Sequence, residues 1–510
     1  MIRKSVISSA LIFAISFSFV ECQNDDPWHM VQDILSRISP PQIPDRRCNI
    51  LDFNAVRSPN DDDVEAPPST VDANTNAFKN AIQSCHDLGG GTVYVPEGTY
   101  ITSAITLLSN ISLEVSSGAI IRFTRDTTKY PIVFTRWEGI ELMNYSPFIY
   151  AFEAENIAIT GSGIIDGNCD CEHWWPWKGT WSRQCWVTVP ENQTNARNAL
   201  FQMAEDNVPV EQRVFGEGHF LRPQFIQPYR SKNVLIENVT ILNSPMWIVH
   251  PVLCENVIVR NINITSLGPN SDGVDPESCK DVWIYRVYFQ SGDDDIAIKS
   301  GRNADGRRIN VPSENIVIQN CTMADGHGGI TLGSCISGGV RNIFAENCYL
   351  DSPNLDTAIR VKNNALRGGL LEKFYLRNIR VGQVAKQVVE VDFYYEEGPN
   401  ADFVPVLKEV FIDNVNVTGG APYSMVVKGY PSPNSSYIEM TLSNINFAGL
   451  KNTPHYIVEN VDSINFSEVK VQIWQQWNTT DESSSAQSFG ASALIILGIT
   501  IFFNILVSLN

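Results

Sequence analysis

The middle of the chain repeats a short phrase in which an Asn or Asp opens a run of alternating residues. The phrase reads NVLIENVTI from Asn233, NVIVRNINI from Asn256, DVWIYRVYF from Asp281, NIVIQNCTM from Asn315 and NIFAENCYL from Asn342. Alternation of period two predicts strands, and a recurrence at about 25 residues predicts a solenoid of stacked coils. Because no helical pattern lies between the phrases, we predict an all-β fold, a single-stranded right-handed parallel β-helix.

Shorter strands between these phrases give each coil a further face. DIAIKS begins at Asp295, GITLGS at Gly329 and AIRVKN at Ala358. Since neighbouring coils stack about 4.8 Å apart, polar residues at matching positions should form a ladder. In the matching register one set of residues points into the coil and another points out of a single sheet. The inward set is Ile296, Ile298, Ile330, Leu332, Ile359 and Val361, and the outward set is Lys299, Thr331, Arg360 and Lys362.

Two segments depart from the repeat within the predicted solenoid domain, residues 46–477. In residues 75–85, Phe78, Ile82 and Cys85 have helical spacing, and three glycines follow at 89–91. This pattern predicts an amphipathic helix that caps the N-terminal coil. Residues 166–220 lack the repeat and contain five tryptophans and three cysteines. We expect a large aromatic insertion that is cross-linked.

Both termini have the composition of targeting signals. Residues 1–22 combine Arg3 and Lys4 with a following apolar run and small residues, which predicts a secretory signal peptide. Residues 483–510 begin with a serine cluster and continue as a nearly uncharged stretch that no Lys or Arg follows. That order favours a GPI-attachment signal over a retained membrane span. The protein is therefore expected to be secreted, or held at the cell surface by a lipid anchor that is its only membrane contact.

Charge narrows the range of partners. The 510 residues are 43% hydrophobic and 18% charged, an ordinary balance for a folded protein. Lys+Arg at 37 against Asp+Glu at 56 gives a net charge of −19. A chain this acidic repels a phosphate backbone, so nucleic acid is excluded as an expected partner. A polyanionic substrate would need a local basic patch.

Cysteine usage agrees with export. Of 11 cysteines, removal of Cys22 with the signal leaves ten, and an even count in an exported chain predicts disulfides. Cys254 and Cys279 occupy equivalent repeat positions, as do Cys321 and Cys348, so each pair could either bond or stack as thiols. Several Asn-X-Ser/Thr sequons predict a glycoprotein, although those inside strands are not expected to be used.

Four short motifs place candidate chemistry on consecutive coils. They are NSDG from Asn270, GDDD from Gly292, GHG from Gly326 and RVK from Arg360. Three carboxylates brought this close cannot all ionise freely, so one should keep its proton near neutral pH. Glycoside hydrolysis needs that division between a protonated acid and a carboxylate that activates water. Taken singly, the Asp triplet is more often a solvated turn or a calcium site, and His327 between glycines could simply occupy a tight turn.

In this order on a β-helix, NSDG, GDDD, GHG and RVK resemble the polygalacturonase family of pectin-cleaving enzymes, glycoside hydrolase family 28. The resemblance covers residues 51–449 and includes GGGTVYVPEGTY and the IIDG turn at Ile164. The chain departs from the family pattern at two positions. Ser271 stands where the family usually has Thr, and Asp295 stands where it often has Cys or Ala.

The resemblance implies roles for individual residues. Asp293 would be the general acid, Asp272 and Asp294 would hold and deprotonate the attacking water with inversion, and His327 would support protonation of the acid. Inversion predicts carboxylates about 6.5–9.5 Å apart. No metal or cofactor is expected, and the protein is expected to be a monomer acting on polygalacturonate or pectin oligosaccharides. The residues expected to bind substrate are Asn270, Lys299, Arg360, Lys362 and Tyr394, with Arg302, Arg307 and Arg308 adding charge beside the cleft.

The mode of cleavage and the reaction class have alternatives. The insertion 166–220 and the loop 301–312 are expected to flank opposite sides of the coils that carry the aspartates. Either segment would be able to close one end of the groove, which predicts exo-type cleavage. A rhamnogalacturonan or xylogalacturonan hydrolase is the nearest alternative. A calcium-dependent pectate lyase and a non-catalytic carbohydrate-binding β-helix protein are alternatives of other classes.

Overall fold

The computed structural model describes residues 26–180, 185, 189–447, 450 and 455–467. The predicted signal peptide 1–22 and the tail 483–510 lie outside the described residues. In the part described, no helix has the length and apolar character needed to cross a membrane. The helices there are α1 His29–Arg37, α2 Pro68–Asp87, α3 Thr194–Glu205 and α4 Asn303–Ile309.

Short strands dominate the described chain. The first half contains β1 Arg47–Asn49, β2 Gly91–Val95, β3 Gly98–Thr102, β4 Ile105–Thr106, β5 Ile111–Val115, β6 Ala119–Phe123, β7 Ile132–Trp137, β8 Ile140–Tyr145, β9 Ile149–Phe152, β10 Glu155–Gly161, β11 Ile164–Asp166, β12 Ile226–Tyr229, β13 Lys232–Glu237, β14 Thr240–Leu242, β15 Glu255–Arg260 and β16 Asn263–Ser266. The second half contains β17 Lys280–Tyr285, β18 Tyr288–Ser291, β19 Ile296–Ile298, β20 Ser313–Gln319, β21 Thr322–Met323, β22 Gly326–Leu332, β23 Val340–Glu346, β24 Tyr349–Leu350, β25 Leu355–Lys362, β26 Leu370–Val381, β27 Gln387–Asp392, β28 Val406–Val417, β29 Tyr423–Lys428, β30 Tyr437–Asn446, β31 His455–Glu459 and β32 Ser463–Ser467.

The strands form three parallel stacks that run along one elongated core. One stack passes through β13, β15, β17, β20 and β23, and a second passes through β14, β16, β18, β21 and β24. These two stacks merge at β26, which pairs with both β23 and β24. The third stack contains β19, β22, β25, β27, β29 and β31. Among the pairings described, only the hairpin of β7 and β8 is antiparallel, and the predicted all-β parallel β-helix is confirmed.

The Asn or Asp that opens each repeat phrase occupies a corner of the coil. Asn233, Asn256, Asn315 and Asn342 have φ values of 55°, 57°, 58° and 56°, in the left-handed region that Asn tolerates better than most residues. Their side-chain amides also join successive coils. Asn256 Nδ2 donates to Asn233 Oδ1 at 2.7 Å, and Asn342 Nδ2 donates to Asn315 Oδ1 at 3.0 Å. The backbone conformation and the amide ladder together explain the repeated residue.

The third stack has the register that the sequence predicts. Ile296 pairs with Ile330 and Ile330 pairs with Ile359, while Thr331 pairs with Arg360. All six residues predicted to point inward are buried. In the outward set Lys299, Thr331 and Lys362 are also buried, and Arg360 is partly exposed.

Helix α2 is longer than the predicted 75–85 and packs on the first coil. Phe78, Ile82 and Cys85 are buried, as their spacing predicted. Cys85 forms a disulfide with Cys48 in β1, and β1 pairs with β2. The helix is thereby bonded to the N-terminal end of the solenoid, whose apolar edge needs covering.

The insertion is cross-linked by a disulfide between Cys171 and Cys185. Its helix α3 lies beside α4 of the loop 301–312, where the backbone N of Ala304 donates to Glu205 at 3.4 Å. The prediction that insertion and loop flank opposite sides of the cleft was therefore wrong. Neither segment carries the coil repeat, so periodicity held no information about their mutual position.

The cysteines of the repeat stack as buried thiols in the described structure. The backbone N of Cys254 contacts Cys279 Sγ at 3.4 Å without a disulfide, and Cys321 and Cys348 are likewise free. Of the two alternatives left open by the sequence, the structure shows the reduced one. Asn144, the acceptor residue of one sequon, has a buried side chain that donates to Leu221 O. This asparagine is therefore part of the protein interior.

Candidate active site

A cleft of about 400 Å³ opens over the coils that carry the four motifs. Among the described residues that line it, seven are Lys or Arg and five are Asp or Glu. The cleft is therefore locally basic in a protein whose net charge is −19. Its lysines and arginines are Lys178, Arg197, Lys299, Arg302, Arg360, Lys362 and Lys386.

Three aspartates meet at the floor of the cleft. Asp272 lies two residues before Val274, which bridges to Ile296, and Asp293 and Asp294 lie three and two residues before β19. One oxygen from each of the three carboxylates lies within 4.8 Å of the others. The predicted spacing of about 6.5–9.5 Å was wrong, because adjacent coils and adjacent residues bring these groups closer.

Glycine makes room for one of these carboxylates. A Cβ added at Gly328 would lie 2.7 Å from Asp294 Oδ1 and 2.3 Å from Thr331 Oγ1. The last glycine of GHG is therefore needed for close approach of the next coil to Asp294.

Each of the three aspartates has a separate basic partner. Lys299 Nζ lies 3.0 Å from Asp272, and Lys362 Nζ donates to Asp294. His327 Nδ1 lies 3.1 Å from Asp293 Oδ1. Because Lys299, Lys362 and His327 already contact the three carboxylates, these oxygens do not require a divalent cation to compensate their charge.

The carboxyl groups of Asp272 and Asp293 have pKa values shifted in opposite directions. Burial raises the pKa of Asp272 to about 7, against the lowering effect of Lys299 and with further raising by Asp293 and Asp294. Burial would also raise the pKa of Asp293, but His327, Lys362 and Lys299 together hold it below its usual range. In the free protein the proton therefore favours Asp272, whereas the sequence placed it on Asp293 with support from His327.

A further buried carboxyl, that of Asp275, shares Lys299 with Asp272. Asp275 is fully buried, and Lys299 Nζ lies 3.3 Å from its Oδ1. Burial raises the pKa of Asp275 well above its usual range. Lys299 also lies 4.2 Å above the ring of Trp247. This lysine is thus a buried cation that lines the cleft and joins two aspartates.

The basic rung on β25 has partners within the protein. Arg360 Nε donates to Glu390 at 2.6 Å, and Arg360 also lies 3.6 Å from Asp294. Lys362 Nζ lies 5.3 Å from the ring centroid of Tyr395, which lines the cleft. These two cations and the aromatic ring form the side of the cleft nearest the C-terminal coils.

Tyrosine placement differs from the prediction by one residue. Tyr394 is 39% exposed and packs edge-on against Tyr430, outside the cleft. Tyr395 is the tyrosine that faces Arg360 and Lys362. The strand β27 ends at Asp392, so the alternation that would have fixed the facing residue is lost after it.

Two of the arginines expected beside the cleft lie elsewhere. Arg307 donates to Leu366 O at 2.9 Å and lies over the ring of Phe403. Arg308 pairs with Asp305 and Glu141. Arg302 does line the cleft, so that part of the expectation holds.

Asn270 is held in place by a buried arginine. Arg222 donates to Asn270 Oδ1 at 2.7 Å, and Asn270 Nδ2 reaches Asp293 Oδ2 at 3.4 Å. The sequence offered no signal for Arg222, because it lies at the end of the insertion and outside the repeat. Other cleft residues missed for the same reason are Glu138, Lys178 and Arg197.

A network of ion pairs spans one side of the cleft. Arg197 on α3 lies 3.0 Å from Glu138 and 3.4 Å from Glu396, and Arg302 lies 3.1 Å from Glu396. Glu138 belongs to the turn of the β7–β8 hairpin, and Glu396 follows β27. We call Glu138, Arg197, Arg302 and Glu396 the salt-bridge wall. It joins the insertion, the hairpin and a C-terminal coil across the cleft.

A parallel β-helix with three clustered carboxylates in a basic cleft defines the class as a glycoside hydrolase of the β-helix type. Residues 216–470 match the sequence model of glycosyl hydrolases family 28. The chain belongs to that family.

Relatives and solved structures agree with this assignment. The chain is 29% identical over 319 residues to a Vitis vinifera protein named "Probable polygalacturonase" and 25% identical over 408 residues to an "Exo-poly-alpha-D-galacturonosidase" of Dickeya chrysanthemi. These alignments cover 60% and 74% of this chain, and 57% and 65% of the relatives' own lengths.

A crystal structure of a hyperthermoactive exopolygalacturonase from Thermotoga maritima superposes with a TM-score of 0.78 at 42% identity, covering 86% of this chain and 95% of that one. A family 28 exopolygalacturonase of Yersinia enterocolitica, at 22% identity, a TM-score of 0.63 and coverage of 84% of this chain and 75% of that one, shares the fold.

Proposed function

We propose that this protein hydrolyses the α-1,4-galacturonosidic bonds of polygalacturonate or pectin and releases residues from a chain end. One observation carries the proposal, the triad of Asp272, Asp293 and Asp294 within 4.8 Å at the floor of a basic cleft. The protein is acidic as a whole, yet it places lysine and arginine side chains around these three carboxylates. This arrangement is suited to binding an acidic sugar polymer. The names of its relatives point to the same substrate.

In this proposal Asp293 protonates the departing sugar oxygen, and Asp272 and Asp294 hold the attacking water. The cations that keep Asp293 ionised in the free protein include Lys362. A substrate carboxylate placed beside Lys362 neutralises part of that charge and raises the pKa of Asp293. Substrate binding itself would then shift the proton towards the group that must deliver it.

Arg360, Lys362 and Tyr395 are proposed to bind the sugar, with Asn270 positioning Asp293. Guanidinium and ammonium groups form strong charge-assisted hydrogen bonds with a carboxylate. The tyrosine ring supplies an apolar face and a hydroxyl at the same side of the cleft. Lys299, which is buried against the ring of Trp247, is proposed to tune the pKa of Asp272 and not to contact the sugar.

The salt-bridge wall supports cleavage from a chain end. An enzyme that cuts within a long polymer needs a groove that is open on both sides. Arg197 and Arg302 link Glu138 to Glu396 across the cleft, and Arg302 is only 2% exposed. A wall this well packed leaves room for a terminal residue and blocks a continuing chain.

Chromatography of early products from polygalacturonate tests the proposal. We expect mono- or short galacturonate oligomers from the start, with slow loss of viscosity and no activity in Asp293→Asn. Unsaturated products that vanish with a chelator would instead indicate a calcium-dependent lyase. If polygalacturonate gives no product but rhamnogalacturonan or xylogalacturonan releases sugars, the protein is a hydrolase of that other polysaccharide. Binding without turnover would leave a carbohydrate-binding protein.

Weakening the wall tests the mode of cleavage. Arg197→Gln removes one cation that joins the insertion to Glu138 and Glu396. We expect a faster loss of viscosity per reducing end released than in the wild type. Lys129→Gln, which removes an ion pair with Asp72 on the cap helix, is the control. Rapid loss of viscosity in the wild type would contradict exo-type cleavage.

We also propose that the protein is exported and acts as a monomer. The disulfides Cys48–Cys85 and Cys171–Cys185 support an oxidising compartment. The signal peptide 1–22 and the lipid-attachment tail 483–510 remain part of this proposal. Release from cells by a phosphatidylinositol-specific phospholipase tests the anchor, peptide mass spectrometry tests the processed N-terminus and glycans, and light scattering tests the monomer.

A further inference from the structure

Lys178 differs from the other lysines and arginines of the cleft. Arg360 pairs with Glu390, Lys362 with Asp294, Lys299 with Asp272, Lys386 with Asp356, and Arg197 and Arg302 with the wall. Lys178 lines the same cleft, yet it forms no ion pair with any carboxylate of the described residues. It is therefore the cleft cation most available to an incoming anion.

The environment of Lys178 favours such a ligand. The side chain is partly buried. Burial lowers the pKa of Lys178, and Glu138 and Asp293 oppose that lowering from beyond ion-pair distance while Arg222 and Arg197 add to it. A partly desolvated ammonium near two arginines gains more from a new counter-charge than an exposed lysine does.

Its position complements the basic rung on β25. Lys178 belongs to the insertion, which leaves the solenoid after β11. Arg360 and Lys362 lie on β25, a strand of the C-terminal half of the cleft. Electrostatic interactions link Asp293 both to Lys178 and to Lys362. Two lysines from different parts of the chain, one in the insertion and one on β25, thus act on the carboxylate of Asp293 within one cleft.

We propose that Lys178 binds the carboxylate of the terminal uronate sugar, on the opposite side of the cleaved bond from Arg360 and Lys362. This inference rests on the proposed function and names a specificity-determining residue for it. A neutral terminal sugar would cover the ammonium without supplying a counter-charge. A binding site that hydrogen-bonds a polar group discriminates strongly against a ligand that lacks this group. The discrimination is larger than that of an apolar pocket against a ligand of slightly different size.

Kinetics on two trisaccharides test this role. One is trigalacturonate, and the other is the same compound with the carboxyl group of its non-reducing terminal residue reduced to a primary alcohol. We expect the wild type to prefer the charged compound. Lys178→Met should lower kcat/KM for trigalacturonate about 10- to 100-fold, as expected for a lost hydrogen bond between charged groups. The same variant should leave kcat/KM for the reduced compound nearly unchanged, and Lys178→Arg should retain most of the preference.

Controls separate binding from folding. Lys232→Met removes an exposed lysine on β13 that pairs with Glu255 outside the cleft, and its kinetics should match the wild type. Thermal unfolding of each variant reports the fold. Equal losses on both compounds, or an unchanged preference in Lys178→Met, would overturn the role of Lys178. A wild type that hydrolyses neither compound nor polygalacturonate would instead defeat the proposed function.

Discussion

His327 is joined to Asp293 twice, through the ring and through the main chain. Its Nδ1 lies 3.1 Å from Asp293 Oδ1, and its backbone N donates to Asp293 O at 3.0 Å. The second bond crosses between two coils, so the fold itself fixes the ring against the carboxylate. Burial would raise the pKa of Asp293, and His327 is the strongest influence that lowers it. The histidine thus sets how readily Asp293 takes a proton.

Replacing His327 should move the pH profile. In His327→Asn the pKa of Asp293 rises, because the partner that lowers it most is lost. An acid that must be protonated then stays active to higher pH, so the alkaline limb of kcat/KM should shift upwards. The value at the optimum should fall roughly 10- to 100-fold, since the carboxyl loses its orienting partner. An alkaline limb at its wild-type position would contradict Asp293 as the acid.

Asp272 should cost stability at neutral pH. The pKa of Asp272 is about 7 in the folded protein, against an ordinary value of 3.8. The contribution of this carboxyl group to the free energy of unfolding is therefore fully present below about pH 3.8 and is lost as the pH rises through about 7. In Asp272→Asn this loss disappears, and Lys299 keeps its partner Asp275. The free energy of unfolding of Asp272→Asn, relative to that of the wild type, should therefore increase by up to about 4 kcal/mol between about pH 4 and pH 8.

Urea unfolding at the two pH values measures that gain. Asp62→Asn, at an exposed turn, is the control and should show the same small difference at both pH values. A gain of equal size at low and high pH would mean that Asp272 does not hold the proton. Asp272→Asn should also lose activity, because the same carboxylate is proposed to hold the water.

The repeat made the fold and the triad predictable, and its absence explains what was missed. Asp272, Asp293 and Asp294 precede strands whose register follows from alternation, so their convergence could be inferred. Lys299 lines the cleft, but its ion pairs with Asp272 and Asp275 could not be inferred from the alternation of β19. Tyr395 was missed by one residue because the alternation of β27 ends at Asp392.

Residues of the insertion could not be placed from the sequence. Lys178 and Arg197 reach the cleft from the insertion, and Arg222 just after it holds Asn270. No local pattern encodes these long-range contacts. The proton location was also beyond the sequence. It depends on which cation lies nearest each carboxylate, and the pairs of Asp272 with Lys299 and of Asp294 with Lys362 appear only in three dimensions.

The two cations of β25 should respond differently to substitution. Arg360→Gln should mainly raise KM, because Arg360 is held by Glu390 and lies 3.6 Å from Asp294. Lys362→Met should raise KM and also lower kcat, since Lys362 donates directly to Asp294. A loss of about 1.5–3 kcal/mol in kcat/KM is expected for each. Steady-state kinetics on oligogalacturonates measure both values, and an unchanged KM in both variants would place the substrate carboxylate elsewhere.

Adjacent tyrosines provide a matched pair. Tyr395→Ala removes the ring beside Lys362 and should lower kcat/KM by roughly tenfold or more. Tyr394→Ala removes an exposed ring that packs on Tyr430 and should leave kcat/KM within a factor of two or so of the wild type. Initial rates at low substrate concentration decide the comparison. A larger effect of Tyr394→Ala than of Tyr395→Ala would mean that Tyr394, and not Tyr395, contacts the substrate in the cleft.

Stereochemistry remains the strictest test of the mechanism, because the carboxylate spacing does not match the usual inverting range. The closest oxygens of Asp272, Asp293 and Asp294 lie within 4.8 Å, whereas inverting enzymes commonly separate acid and base by about 6.5–9.5 Å. A triad differs from a pair, however. Asp272 and Asp294 are each anchored to a lysine and can hold one water between them, while Asp293, oriented by His327 and Asn270, meets the leaving oxygen. We therefore expect proton NMR of the first product to show the anomer opposite to the substrate bond. A first product with the substrate's own configuration would mean that one carboxylate attacks carbon and forms a covalent intermediate.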